Sequence, residues 1–258
     1  MSGYQRIKEL GSGYAGHVYL EFDSNLARHC AAKCIPLTSL PQGLNAADEA
    51  RRMMQAAHEN VVEVYSASEE GSSFVIRMEY LERGSLRDLY GGRPVPVGDA
   101  VYALEQACRG IAHLHANGLL HRDIKAANLL VSGSDVIKVS DFGLSCTATE
   151  VAAALPFGYE THLAPEAIRS PIGAFDELCD IYALGVTAYE LLNGADHLVK
   201  RLNAETDIAE EIRVGRFPDR EDWAPHVHAS LRKVIRRSLH VVRSKRFETV
   251  SDFRRAVE

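Results

Sequence analysis

Residues 119–131 read LLHRDIKAANLLV, and this stretch decides the fold. Two apolar runs, Leu119-Leu120 and Leu129-Leu130-Val131, bracket His121, Arg122, Asp123, Lys125 and Asn128. Burying such polar side chains without partners is costly. A polar segment held between strand-like apolar runs is best explained as a rigid loop whose side chains face a ligand. A turn whose polar groups satisfy one another is the simpler alternative, and the rest of the chain decides between them.

Just downstream, residues 141–143 read DFG, beyond the strand-like VIKVS. Asp141 together with Asn128 supplies hard oxygen ligands of the kind Mg²⁺ takes alongside substrate phosphates. Upstream, residues 11–18 read GSGYAGHV, a G-x-G-x-x-G-x-V pattern. The same glycines can open a dinucleotide-binding unit, but that unit needs a helix directly after them. Here HVYLEF alternates as a strand, which places Gly11, Gly13 and Gly16 in a hairpin where the backbone can approach phosphate oxygens. Lys33, ending CAAK, is an isolated charge in an apolar strand. In a phosphate site it would neutralise oxygens and need an acidic partner. Glu49 is the candidate, with Asp48 and Glu59 as alternatives.

The bulk composition fits these parts. The chain has 258 residues, 46% hydrophobic and 25% charged, a usage that suits a globular protein with a substantial core. No apolar run approaches the roughly 20 residues that span a bilayer, and MSGYQRIKEL lacks the apolar centre of a signal peptide. The expectation is a cytoplasmic protein without a membrane segment. Five cysteines without CxxC or metal spacing read as reduced, structural thiols. A net charge of −6 argues against nucleic acid as the main partner, and the basic run RKVIRR at 232–237 reads as the solvated face of a helix.

The first 35 residues read as strands with a turn at 23–25, and NAADEARRMMQAA switches to helical formers. Two more strand-like runs, VVEVYSA and SFVIRMEYL, follow. Beyond Leu81 the pattern turns mostly helical. Ala100, Leu104, Ala107, Ile111 and Leu114 share a helical face that Gly118 ends, and further helices are expected near 177–193, 204–214, 228–240 and 249–257. The fold class is therefore α+β, in two lobes joined near Glu79 to Gly84.

With these residues in place the chain resembles a eukaryotic-type protein kinase domain of the serine/threonine family. GSGYAGHV, CAAK, HRDIKAAN, DFG, APE at 164–166 and DIYALGV at 180–186 occur in that family's order and approximate spacing, from Gly11 to Arg246. The resemblance implies a single bilobal domain over 1–258, with a small β-rich N-lobe with one main helix over 1–80 and a larger helical C-lobe over 81–258. It implies ATP with Mg²⁺, or Mn²⁺ in its place, and a protein partner with a Ser or Thr acceptor. Gly11, Gly13 and Gly16 would cover the phosphates; Val18 and Ala31 would pack on adenine. Glu79 and Leu81 would meet its edge through backbone groups, with Met78 behind them. Lys33 would contact phosphates and pair with Glu49. Asp123 would accept or orient the hydroxyl proton, Lys125 would steady the phosphoryl group, and Asn128 and Asp141 would hold the metal. Glu166 would bridge to Arg246, and Asp180 would brace the catalytic loop.

Lys125, two residues after Asp123, is what the serine/threonine members of the family the chain resembles carry, and the resemblance therefore implies Ser or Thr acceptors. A catalytically dead scaffold would lack Lys33, Asp123, Asn128 or Asp141, and all four are present. A small-molecule phosphotransferase is the other alternative, disfavoured by HRD, Lys125 and APE. The segment after DFG offers Ser145, Thr147, Thr149 and Thr161 for autophosphorylation, which could neutralise Arg122. One departure stands out: GYETHLAPE puts Tyr159 where the family has threonine and His162 where it has tyrosine, with consequences expected on the acceptor side.

Overall fold

The computed structural model describes residues 3–13, 16–40, 46–141, 159–169, 175–203 and 205–258, with backbone alone for 13, 46–49, 159–160 and 169. Among these, five strands form one antiparallel sheet in the order β1-β2-β3-β5-β4. They are β1 (Tyr4–Gly13), β2 (Gly16–Asp23), β3 (Arg28–Pro36), β4 (Val64–Glu70) and β5 (Ser73–Glu79). The glycine-rich stretch is the β1–β2 hairpin, as its alternation predicts. Gly16 has φ 128°, and a Cβ there would collide with the Cys34 carbonyl oxygen, so only glycine fits.

The sheet has two chemically different faces. Register places Val18 opposite Lys33, Lys33 opposite Ile76 and Ala31 opposite Met78, so these five share the inner face. On the other face Arg77 donates to Glu21 (2.8 Å) and to both oxygens of Glu70 (2.6 and 3.1 Å). Its guanidinium lies 3.9 Å from the Tyr4 ring centroid, and Arg77 and Glu21 are each only 4% exposed. The network ties β1, β2, β4 and β5 together across the sheet.

One helix accompanies the sheet, α1 (Ala46–Gln55). The remainder is helical: α2 (Leu86–Tyr90), α3 (Val97–Ala116), α4 (Pro165–Arg169), α5 (Glu177–Asn193), α6 (Ala195–Val199), α7 (Ile208–Val214), α8 (Ala229–Ser238) and α9 (Val250–Val257). A small hairpin, β6 (Leu129–Val131) with β7 (Ile137–Val139), carries the opening stretch. Every residue from Cys179 to Asn193 is buried, which makes α5 the post around which the helical part is built. None of the described helices is long and apolar enough to cross a membrane.

The two parts meet at Asn60. Its Nδ2 donates to Gln106 Oε1 (3.1 Å) and the Ile137 carbonyl (2.9 Å), while its own carbonyl accepts from Val139 N (2.9 Å). Gly110 on α3 permits the approach, since a Cβ there would strike the Asn60 carbonyl oxygen. Beside this joint the rings of His58 and His113 stack at 4.8 Å, and His58 Nδ1 accepts from Asn60 N (3.0 Å).

Three sequence expectations shift. The helix expected over 204–214 begins at Ile208, where Asp207 caps it by accepting from Glu210 N. The short helices α2, α4 and α6, five residues each, have too few turns to show a period. RKVIRR does lie on a helix, but mostly not as a solvated face. Arg232 donates to the Val227 carbonyl (2.7 Å), Arg236 to the Arg220 carbonyl (2.7 Å), and Arg237 lies over the Phe247 ring, so three of its four cations pin neighbouring segments.

Two outcomes follow for stability. Arg77→Ala leaves the buried Glu21 carboxylate without its strongest partner and is expected to cost about 3–5 kcal/mol in chemical denaturation. His58 and His121 are both held below their ordinary pKa, by burial first and, for His58, by the neighbouring His113 charge. The unfolded chain therefore binds more protons than the fold as pH falls past 6.5, the unfolded value, so this stabilisation is complete above that pH and lost below it. The thermal midpoint should drop between pH 7.5 and pH 5.5 (roughly one unit either side of the ordinary histidine value), and less steeply in His58→Gln.

Candidate active site

The inner face of the sheet supplies one wall. Ala31 and Met78 are each 8% exposed, and Gly11 has open space where a side chain would stand. Glu79 ends β5; its backbone N–H is already bonded to the Glu63 carbonyl (2.9 Å), and its carboxylate binds Lys138 Nζ (2.7 Å) from β7. Leu81 is buried, and among the described residues its N–H makes no backbone hydrogen bond. From this wall Lys33 reaches across to Asp141, with Nζ 2.8 Å from Oδ1. Burial tends to raise the Asp141 pKa, but the Lys33 charge and hydrogen bond, with His121 and Lys125 beyond, hold it below the usual carboxylate range.

The opposite wall is the loop between α3 and β6. The Asp123 carboxylate accepts from Lys125 Nζ (2.8 Å to each oxygen) and from Asn128 Nδ2 (2.8 Å), which also donates to the Asp123 carbonyl (2.7 Å). The loop is fixed from beneath. Asp180, at the start of α5 and 1% exposed, accepts from the backbone N–H groups of His121 and Arg122, both at 2.9 Å, and lies 2.8 Å from His115 Nε2. Burial alone would raise the Asp180 pKa; His115, His121 and the His121 backbone N–H bring it below the ordinary value. Thr187 Oγ1, also from α5, donates to the Ile124 carbonyl (3.2 Å), and Ser140 N donates to that of Asn128 (2.9 Å).

Arg122 and Asp141 hold φ of 69° and 61°, a region that costs a non-glycine residue about 1–2 kcal/mol. Such conformations persist where surrounding bonds over-determine them, and both residues flank the same polar cleft. Beneath it, Glu166 and Arg246 form a bidentate pair at 2.7 and 2.8 Å, as the sequence leads one to expect.

The structure thus gathers Lys33 with Asp141, and Asp123 with Lys125 and Asn128. Glu49 lies on α1, but its side chain is outside the described residues, as are Phe142, Gly143, Cys146, Ser145, Thr147, Thr149 and the Tyr159 side chain. Thr161 is 4% exposed and sits 3.0 Å from His162 Nδ1. His115 and Lys138 were not legible as site residues, because each acts through a partner distant in sequence.

The chain matches the family model of the protein kinase domain over residues 4–255. It is 32% identical over 268 residues to the serine/threonine-protein kinase PrkC of Bacillus subtilis, covering 96% of this chain and 39% of that protein. It is 29% identical to the serine/threonine-protein kinase Pkn1 of Myxococcus xanthus, covering 99% and 38%, and 33% identical to PknB of Mycobacterium leprae, covering 72% and 31%. The chain spans about two fifths or less of the length of these relatives. A glycine hairpin over an inner sheet face, a lysine reaching an aspartate across the cleft, a braced HRD loop and this match over nearly the whole chain agree: the chain belongs to the protein kinase family, in its serine/threonine branch.

Proposed function

We propose that the protein transfers the γ-phosphoryl group of ATP to Ser or Thr hydroxyls of protein substrates, with residues 1–258 acting as one domain of two lobes, 1–80 and 81–258. The arrangement that carries this reading is the Asp123, Lys125 and Asn128 cluster, braced by Asp180 and faced by the Lys33–Asp141 pair. In it, Gly11, Gly13 and Gly16 lie along the phosphates, and Val18, Ala31 and Met78 enclose adenine, whose edge meets the Glu79 carbonyl and the Leu81 N–H. Lys33 orients the phosphates and Glu49 holds Lys33. Asp123 takes up the proton of the attacking hydroxyl oxygen, and Lys125 balances charge on the transferred group. Most of the rate derives from positioning and electrostatics, which suits a loop held by backbone bonds.

The donor set fits a divalent cation. Asn128 commits Nδ2 to Asp123, which turns its carbonyl oxygen the other way, and Asp141 has a second oxygen beyond the one that meets Lys33. Both are hard ligands suited to Mg²⁺, with Mn²⁺ as an alternative. When bound, the cation neutralises phosphate oxygens. A cytoplasmic setting fits the four free cysteines among the described residues. Autophosphorylation after DFG remains part of the proposal; Thr161, buried and bonded, is a poor acceptor there.

Incubation with labelled ATP, Mg²⁺ and a generic protein acceptor, followed by phosphosite mapping, tests the reading. Asp123→Ala and Asp141→Asn should each lower turnover by about 10²- to 10⁴-fold, and Asp141→Asn should also lose metal-dependent nucleotide affinity. Wild-type turnover in either variant sinks the assignment. Asp180→Asn places an amide against two backbone N–H donors; it should lower kcat and cost about 1–3 kcal/mol of stability while leaving KM for ATP nearly unchanged.

A further inference from the structure

A crevice opens beside the catalytic loop, lined in part by Leu86, Arg87, Tyr90, Arg93, Ala126 and Glu190. Ala126 follows Lys125 directly, so the crevice adjoins the loop that carries Asp123. The carboxylate in this lining, Glu190, is only 7% exposed and is engaged inward. It accepts from the Ala126 backbone N–H and lies 3.3 Å from Nε2 of His162, the residue that stands where the family has tyrosine. His162 Nε2 makes no hydrogen bond in this contact, which rests on distance alone. Glu190 stays ionised, with the Arg87 charge among those that hold its pKa low, but that charge is buried beneath the crevice.

The cations are placed differently. Arg87 and Arg93 are both exposed, and among the described residues neither has a carboxylate within ion-pair distance. Arg93 Nε donates to the Tyr90 carbonyl (3.1 Å), which leaves its terminal nitrogens to solvent. Arg87 sits on α2, held by a capping box between Ser85 and Asp88 and ended by Gly91 in the left-handed conformation. The acids nearby are engaged: Asp88 in that cap, and Asp99 with Tyr90 Oη (3.1 Å). The exposed charges that line the crevice are these two arginines, mounted beside the loop that carries Asp123.

We propose that this crevice selects acceptor segments carrying an aspartate or glutamate near the phosphorylated Ser or Thr, with Arg87 and Arg93 as specificity-determining residues. The inference rests on the kinase reading of the Asp123 site and adds the class of acceptor to it. Two exposed charge pairs of this kind favour the acidic segment by about three- to tenfold at low salt, and the preference shrinks as salt screens them.

The test compares matched serine peptides flanked by Asp or by Lys, with wild type, Arg87→Glu, Arg93→Glu and the double variant. Wild type should favour the Asp peptide through KM, less so in high salt, and the double variant should favour the Lys peptide with an unchanged thermal midpoint. Equal use of both peptides by wild type, or an unaltered ranking in the double variant, overturns the inference while the kinase reading stands. Absence of transfer to either peptide and to a generic protein acceptor overturns that reading, and the inference with it.

Discussion

The buried carboxylate of Asp180 is the constraint on which the site depends. It sits on the helix that forms the centre of the larger part, and it receives two consecutive backbone N–H groups of the loop that carries Asp123, with a third contact from His115. Loops seldom hold side chains to sub-ångström tolerance by their own sequence. Here the loop inherits the rigidity of the helix below it. The left-handed Arg122 becomes tolerable because its own N–H is one of the two bonds that Asp180 supplies. Strain and brace belong to one device.

A second joint transmits this order to the sheet. Asn60 ties the segment after α1 to Gln106 on α3 and to both ends of β7, and β7 leads directly to Asp141. Lys33 on the sheet and Asp141 beyond β7 are therefore registered against each other through a short chain of backbone bonds. The Glu79–Lys138 pair adds a tie at the connection between the two parts.

Much of this was legible in the sequence, for identifiable reasons. Gly16 is required by sterics, so its pattern survives as a motif, and the spacing of Asp123, Lys125 and Asn128 is short enough that one loop can satisfy all three. The long amphipathic α3 and the buried α5 announce themselves by period and apolarity. What escaped was non-local. Nothing near Arg77 in sequence signals that Glu21 and Glu70 will enclose it, and the arginines of α8 look like surface charge until the carbonyls they bind are seen. Helices of five residues carry no period, and the inward turn of Glu190 depends on His162 arriving from a separate segment.

The contact between Lys33 and Asp141 bears on what ligand entry means for this protein. The Lys33 cation has an anion at 2.8 Å, so on the proposed function a triphosphate would meet an internally neutralised pair of charges. Binding would then be an exchange of counter-ions, favouring a guest that brings enough negative charge to displace a carboxylate together with a cation to accompany the carboxylate it displaces. A weakly charged phosphate would lack the first and a bare nucleotide the second, so on the proposed function the cleft would discriminate by the pairing of charges before shape is consulted.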